Sequence, residues 1–218
     1  MNAKSFQATC MLVAILFIFP VLTSGAELKP IQLPQPQIDT GRPLMQVLNN
    51  RKSSRTFSTR ELSDQVLSDM LWAAFGENRQ RTGKRTAPSA MNWQEIDVYV
   101  TTARGLYLYD AKAHALKPVL PKDLRAATGR QSFVGEVPVN FVYVADFSRM
   151  GQAKLDEKIF YSAADTGFIS QNVYLYCAST GLATVVRGLI DRPALAKIMG
   201  LRPDQRVILS QSVGYPKK

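Results

Sequence analysis

The run Arg51-Lys52-Ser53-Ser54-Arg55-Thr56-Phe57 packs three cations and several hydroxyls into seven residues. A phosphate needs that mixture: Arg offers a planar fork, Lys a point charge, and the donors replace the water lost on binding. If the run is extended, Arg51, Ser53 and Arg55 alternate onto one side, so an anion clamp is the expectation. A formal net charge of +10 supplies a plainer alternative, because so basic a chain carries cationic surface loops anyway. The usual catalytic constellations are missing. His114 is the single histidine, which rules out a multi-histidine metal site, and no Cys/His/Asp cluster has ligand spacing. No G-x-S-x-G elbow exists to pair with it in a triad. Gly83-Lys84 resembles the end of a P-loop, but Arg85 stands where the magnesium-binding Ser or Thr should be.

At 218 residues and 46% hydrophobic, the chain has the profile of one globular domain with a sizeable core. Lys4, the apolar run Met11 to Phe19 and the small residues Ser24-Gly25-Ala26 make a secretory signal over residues 1–26, cleaved after Ala26. The run is shorter than the ~18–20 apolar residues of a spanning helix. A periplasmic or secreted protein is therefore expected. Cys10 falls in that signal, leaving Cys177 alone in the mature chain as a core residue without a disulfide partner.

Residues 27–43 carry Pro30, Pro34, Pro36 and Pro43 and read as an extended arm lying over a surface, with a partner subunit one candidate for that surface. The domain proper is 44–218. Leu44, Val47 and Leu48 form a short helix stopped by Asn49-Asn50, which sets the clamp just beyond a helix end. Ser63 is the N-cap of a second helix whose apolar residues repeat at three and four up to Gly76. Glu77 to Arg85 reads as a mobile loop. Strands are expected at Ile96 to Thr102 and Val139 to Ala145, with a hairpin from Gly105 to Leu120. Pro121 to Thr128 reads as a short helix. The longest helix, Asp156 to Thr180, has apolar residues on several faces and should be buried on several sides. Its Gly167 costs ~1 kcal/mol unless another backbone packs close. Ala183 to Val186 looks extended, and a last short helix runs from Asp191 and Pro193 to Gly200.

Four stretches in this order make the chain resemble the FMN-dependent nitroreductase family. Arg51 to Phe57 is similar to the family's Arg-Arg-Ser-x-Arg-x-Phe, whose basic residues and Ser hold the flavin phosphate and ring edge. Pro88-Ser89-Ala90-x-Asn92-x-Gln94 is similar to Pro-Ser-x-x-Asn-x-Gln-Pro-Trp, whose Asn contacts the flavin pyrimidine; Glu95 stands where that Pro is usual. The others are the long helix ending in Gly181-Leu182-Ala183-Thr184, and Val207 to Val213 followed by Gly214-Tyr215-Pro216. Gly105 to Asp110 and Leu71 to Ala74 look most like the branch that includes thiazole- and oxazole-forming peptide oxidases, whereas Asn92 and Gln94 follow the general pattern.

The resemblance implies an α+β fold with a mixed or antiparallel central sheet flanked by helices, and a long central helix at a homodimer interface. It implies FMN held by Arg51, Lys52, Ser53, Arg55, Pro88, Ser89 and Asn92, with a backbone donor to the flavin N5 near Gly188. Relatives continue past Gly-Tyr-Pro to a further Lys or Arg on the phosphate; here either Lys217 and Lys218 take that place, or they form a frayed end and the phosphate rests on Arg51, Ser53 and Arg55. The activity implied is ping-pong hydride transfer from an electron donor to a small organic acceptor such as a quinone or nitroaromatic. The alternative is a secreted protein on the same fold that binds flavin or another small ligand without turnover. Nucleic acid is disfavoured as a partner because the cations are dispersed rather than interleaved with aromatics.

Overall fold

The computed structural model describes residues 27–217; the expected signal over 1–26, and Lys218, lie outside the described residues. The sheet is built on strand β7 (Val139–Asp146), every residue of which is buried. Its alternation sorts two cores. Val139, Phe141, Tyr143 and Ala145 pack toward helices α2 (Asp64–Phe75) and α3 (Leu155–Thr180), while Val142 and Val144 pack with Leu195 and Met199 of α4 (Arg192–Met199). Helices thus cover both faces. The remaining strands are β1 (Ile31–Gln32), β4 (Ile96–Thr102), β5 (Gly105–Asp110), β6 (Ala115–Leu120), β8 (Ala183–Arg187) and β9 (Gln205–Gly214). The order is β1-β6-β5-β4-β7-β9-β8 with every pair antiparallel, which agrees with the expected fold class.

Local chemistry accounts for the helix ends. Ser63 accepts the Val66 N–H at 3.3 Å and caps α2. Gly76 stops it for lack of room: a Cβ there would lie 2.6 Å from the Trp72 side chain. Gly181 closes α3 in the left-handed region at φ 76°, its N–H returned to the Cys177 carbonyl. Cys177 is buried, as expected.

Two expectations need correction. Glu77 to Arg85 is not a structureless loop but a small hairpin of β2 (Glu77–Arg79) and β3 (Lys84–Arg85). Its pairing is anchored from outside the strands, by Arg85 donating to the Phe75 carbonyl and to Gln94. Pro121 to Thr128 forms only a 3₁₀ turn, Arg125–Thr128. The long helix is not covered on several sides within one protomer: Leu155, Ile159, Phe160 and Phe168 are exposed. No backbone packs on Gly167, where a Cβ would meet nothing within 4 Å. The arm lies on its own chain, Ile31 pairing with Leu116 and the Pro34 carbonyl accepting from Ser68 at 2.6 Å. α1 (Leu44–Asn50) packs on α3.

Candidate functional site

β8 ends the sheet, so one of its edges has no strand partner. On an edge strand, alternate residues turn both backbone polar groups outward. The Thr184 carbonyl accepts the Ser54 N–H at 2.9 Å, and the Val186 N–H donates to the Tyr174 hydroxyl at 2.9 Å. Exposed Gly188 lies just beyond the end of β8. The clamp run therefore lies along β8, and Tyr174 of α3 joins the two. Its hydroxyl also bonds Ser53 Oγ at 2.8 Å, while the Arg51 guanidinium lies 5.4 Å from its ring centre.

The run is extended, but its alternation divides differently from the expectation. Arg51 and Ser53 meet Tyr174, whereas Lys52, Ser54 and Thr56 line a cavity of about 540 Å³ with Tyr174, Gly181 to Thr184, Pro216 and Lys217. Arg55 is exposed. The carboxyl end reaches this place because Phe57 pairs with Pro216 and the Ser58 N–H donates to the Tyr215 carbonyl at 2.8 Å. Among the described residues Arg51, Lys52, Arg55 and Lys217 take part in no ion pair. Lys52 and Lys217 line this cavity together, and a bound anion would relieve their repulsion, so the cavity fits a phosphate group, with Arg51 next to it on Tyr174.

The loop that carries Pro88, Ser89 and Asn92 packs against a different part of α3. The Ala90 N–H donates to Asp165 Oδ2 at 2.9 Å, and Trp93 packs on Tyr161 with ring centres 5.8 Å apart. Asp165 and Tyr174 are nine residues apart on one helix, about 14 Å along its axis at 1.5 Å per residue. One protomer therefore does not bring this loop onto the clamp. The loop is held under strain. Met91, Asn92 and Gln94 have φ of 51°, 56° and 48°, a region costing non-glycine residues about 1 kcal/mol or more each. Side chains pin it. The Gln94 N–H donates to Ser89 Oγ, its amide donates to the Gly83 carbonyl and to Asn92 Oδ1, and Arg85 donates to Gln94 Oε1 at 2.8 Å.

Two residues that position the site have no signal in the sequence. Tyr174 is one. The other is Arg187, the last residue of β8, buried at 4% exposure beside Gly188. Its guanidinium donates to Thr128 O, Thr128 Oγ1, Asn140 Oδ1 and Ser212 Oγ at 2.7–3.1 Å. Burial lowers its pKa to about 10, so it remains charged at neutral pH. Gly129 makes room for it, since a Cβ there would lie 2.0 Å from Nη1.

Residues 48–215 match the model of a family described as the nitroreductase family. A crystal structure from Ralstonia eutropha JMP134, described as a candidate nitroreductase, is 43% identical, with a TM-score of 0.84 over 94% of this chain and 97% of that one. A Methanocaldococcus jannaschii protein of similar description is 28% identical over 73% of this chain and 85% of its own. A further candidate nitroreductase, from a Desulfovibrio desulfuricans subspecies and crystallised with FMN, is 20% identical. It has a TM-score of 0.59 over 82% of this chain and 89% of that one, a likeness that shows the fold alone.

Proposed function

The chain belongs to the nitroreductase family, a family of oxidoreductases, and from that premise we propose that it is an FMN-dependent enzyme passing electrons from a donor to a small organic acceptor. The observation that carries this reading is the set of cations outside any ion pair beside the free edge of β8, two of which, Lys52 and Lys217, line one cavity. Bound FMN would supply the redox chemistry, taking hydride from the donor and yielding it to a quinone, a nitroaromatic or a similar acceptor in alternating half-reactions.

The chain's own residues do the rest. Arg51, Lys52 and Lys217 supply positive charge for the phosphate, and Ser53, fixed by Tyr174, adds a hydroxyl. The Gly188 amide orients the ring without introducing an acid, and Arg55 offers positive charge where the reduced ring gathers negative charge. Asn92 would contact the pyrimidine edge of the bound ring. The distance between clamp and Asn92 within one protomer supports a homodimer, in which the exposed apolar residues of α3 and α1 meet their copies and each site draws on both chains.

We further propose export directed by residues 1–26. A chain threaded unfolded through a membrane cannot carry a docked flavin, so loading follows export. Nicotinamide donors are scarce there, which favours a membrane or protein electron carrier.

The test uses protein lacking residues 1–26. It should be yellow, or turn yellow with FMN, and bleach on reduction. Arg51→Ala should weaken FMN binding roughly 10- to 100-fold, the loss of a charged hydrogen bond worth about 1.5–3 kcal/mol, read by fluorescence titration. A colourless protein indifferent to FMN overturns the reading. Holoprotein that reduces neither quinones nor nitroaromatics under steady-state assay would instead be a binding module.

A further inference from the structure

Glu95 is fully buried at the foot of the strained loop, and neither carboxyl oxygen has a hydrogen-bond partner. A bare carboxylate is costly there. The group that meets it is a second acid, Asp165, 2% exposed, whose Oδ2 accepts the Ala90 N–H. The Ser162 hydroxyl, also fully buried, donates to Met150 Sδ at 3.6 Å and lies near enough to the Glu95 carboxyl to favour its charged form, an effect smaller than those of burial and Asp165 that oppose it. Carboxylates only accept hydrogen bonds, so two of them in contact satisfy each other only when one is protonated.

We propose that Glu95 and Asp165 share one proton, and that the resulting O–H···O bond between β4's approach and α3 is a positioning device for the Ala90–Gln94 loop that presents Asn92. The proposal rests on the flavin reading only for what Asn92 touches; the shared proton is a property of the protein alone. The surrounding charges leave the pair to itself. From α3 only Asp165 faces Glu95. From the turn after β7, Arg149 is spent on the Gln94 carbonyl and Asp97 of β4, and Asp146 meets Glu95 through its own N–H. From β3, Arg85 is spent on the Gln94 side chain and the Phe75 carbonyl. Burial first, and then Asp165, raise the Glu95 pKa to about 7, and burial raises that of Asp165. When the proton leaves, two negative charges face each other without a cation. The loop then has a reason to let go of its Ala90 anchor and relax its three left-handed residues.

The sign follows from where the proton sits. Between the ordinary Glu pKa of 4.5 and about 7 the folded protein keeps a proton that the unfolded chain releases. Stability from this pair is complete below 4.5, declines as pH rises to about 7, and is flat above. The experiment compares cofactor-free wild type with Glu95→Gln, whose amide imitates the protonated acid, and with Asp165→Asn. Relative to Glu95→Gln, the wild-type melting temperature should fall by about 5–10 °C from pH 5 to pH 8, whereas Asp165→Asn, which keeps the buried Glu95, should show a smaller fall. In a Trp72→Phe background, Trp93 emission should shift over the same interval in wild type and stay constant in Glu95→Gln. Melting curves of wild type and Glu95→Gln that run parallel overturn the shared proton. A melting difference without a Trp93 shift overturns the positioning role. Both readouts are free of flavin, so a failure of FMN to bind overturns the functional reading and leaves the shared proton standing. With FMN, wild-type affinity should weaken severalfold across pH 7 and Glu95→Gln affinity should not.

Discussion

Arg187→Ala is expected to cost the fold about 3 kcal/mol, a fall in melting temperature of roughly 6–12 °C for a domain of this size. The mechanism is the loss of a buried cation that no carboxylate balances. Four neutral acceptors on the Arg125–Thr128 turn, β7 and β9 replace its water. After truncation, Thr128 O keeps a donor from Ser210 and Asn140 Oδ1 keeps one from Ser212, which holds the penalty below that of wholly orphaned groups. What cannot be replaced is the fork. Arg187→Lys keeps the charge but not the geometry that reaches three elements at once, so it should recover little. Urea unfolding of all three proteins checks this, and unchanged midpoints would mean that the guanidinium is not structural. Because Arg187 is covalently next to Gly188, the same change should loosen the free edge of β8, and FMN binding should weaken with it.

Phe160→Glu is the second large effect, expected in association rather than folding. Phe160 is 67% exposed and touches mainly Tyr161, so the protomer loses little. Around it Leu155, Ile159 and Phe168 are exposed as well, and Gly167 leaves open space on the same helix. A carboxylate at the centre of a helix–helix interface must be desolvated without a partner, at about 3 kcal/mol or more, equivalent to roughly a 150-fold weaker dimer. Sedimentation at micromolar concentration should show wild-type dimers and mutant monomers with the same melting onset. If each flavin site is assembled from two chains, FMN affinity falls together with association. Wild-type protein that is monomeric at tens of micromolar would exclude the arrangement.

The sequence carried the parts of this fold whose cause is local. Ser63, Gly181 and Gly200 end helices by capping or left-handed turns that a few neighbouring residues decide. β7 announces itself because a strand buried on both faces carries a nearly continuous apolar run, Phe141 to Ala145. The hairpin of β2 and β3 bears no such mark, for the converse reason: Glu77 to Arg85 has no alternating apolar residues, and Arg85 holds it in place through atoms of α2 and the Gln94 loop. Arg187 ends an apolar strand like any solvent-facing residue, and its acceptors lie at 128, 140 and 212. The clamp run was legible as an extended cationic stretch. Which of its faces meets Tyr174 and which meets the cavity depends on Ser54 pairing with Thr184, a contact across 130 positions that no periodicity encodes. Glu95 was visible as a departure from a pattern, but its partner Asp165 is one polar residue among many on a long helix.

The pairing of Phe57 with Pro216 spans 159 positions. At a synthesis rate of roughly 5–20 residues per second, about 8 to 30 seconds separate the emergence of the first from that of the second. For most of that interval the cationic run has no β8 beside it, and Lys217 arrives only at its close. Cofactor capture is therefore a late event in the life of each polypeptide, possible only once these distant segments have come together in the folded chain.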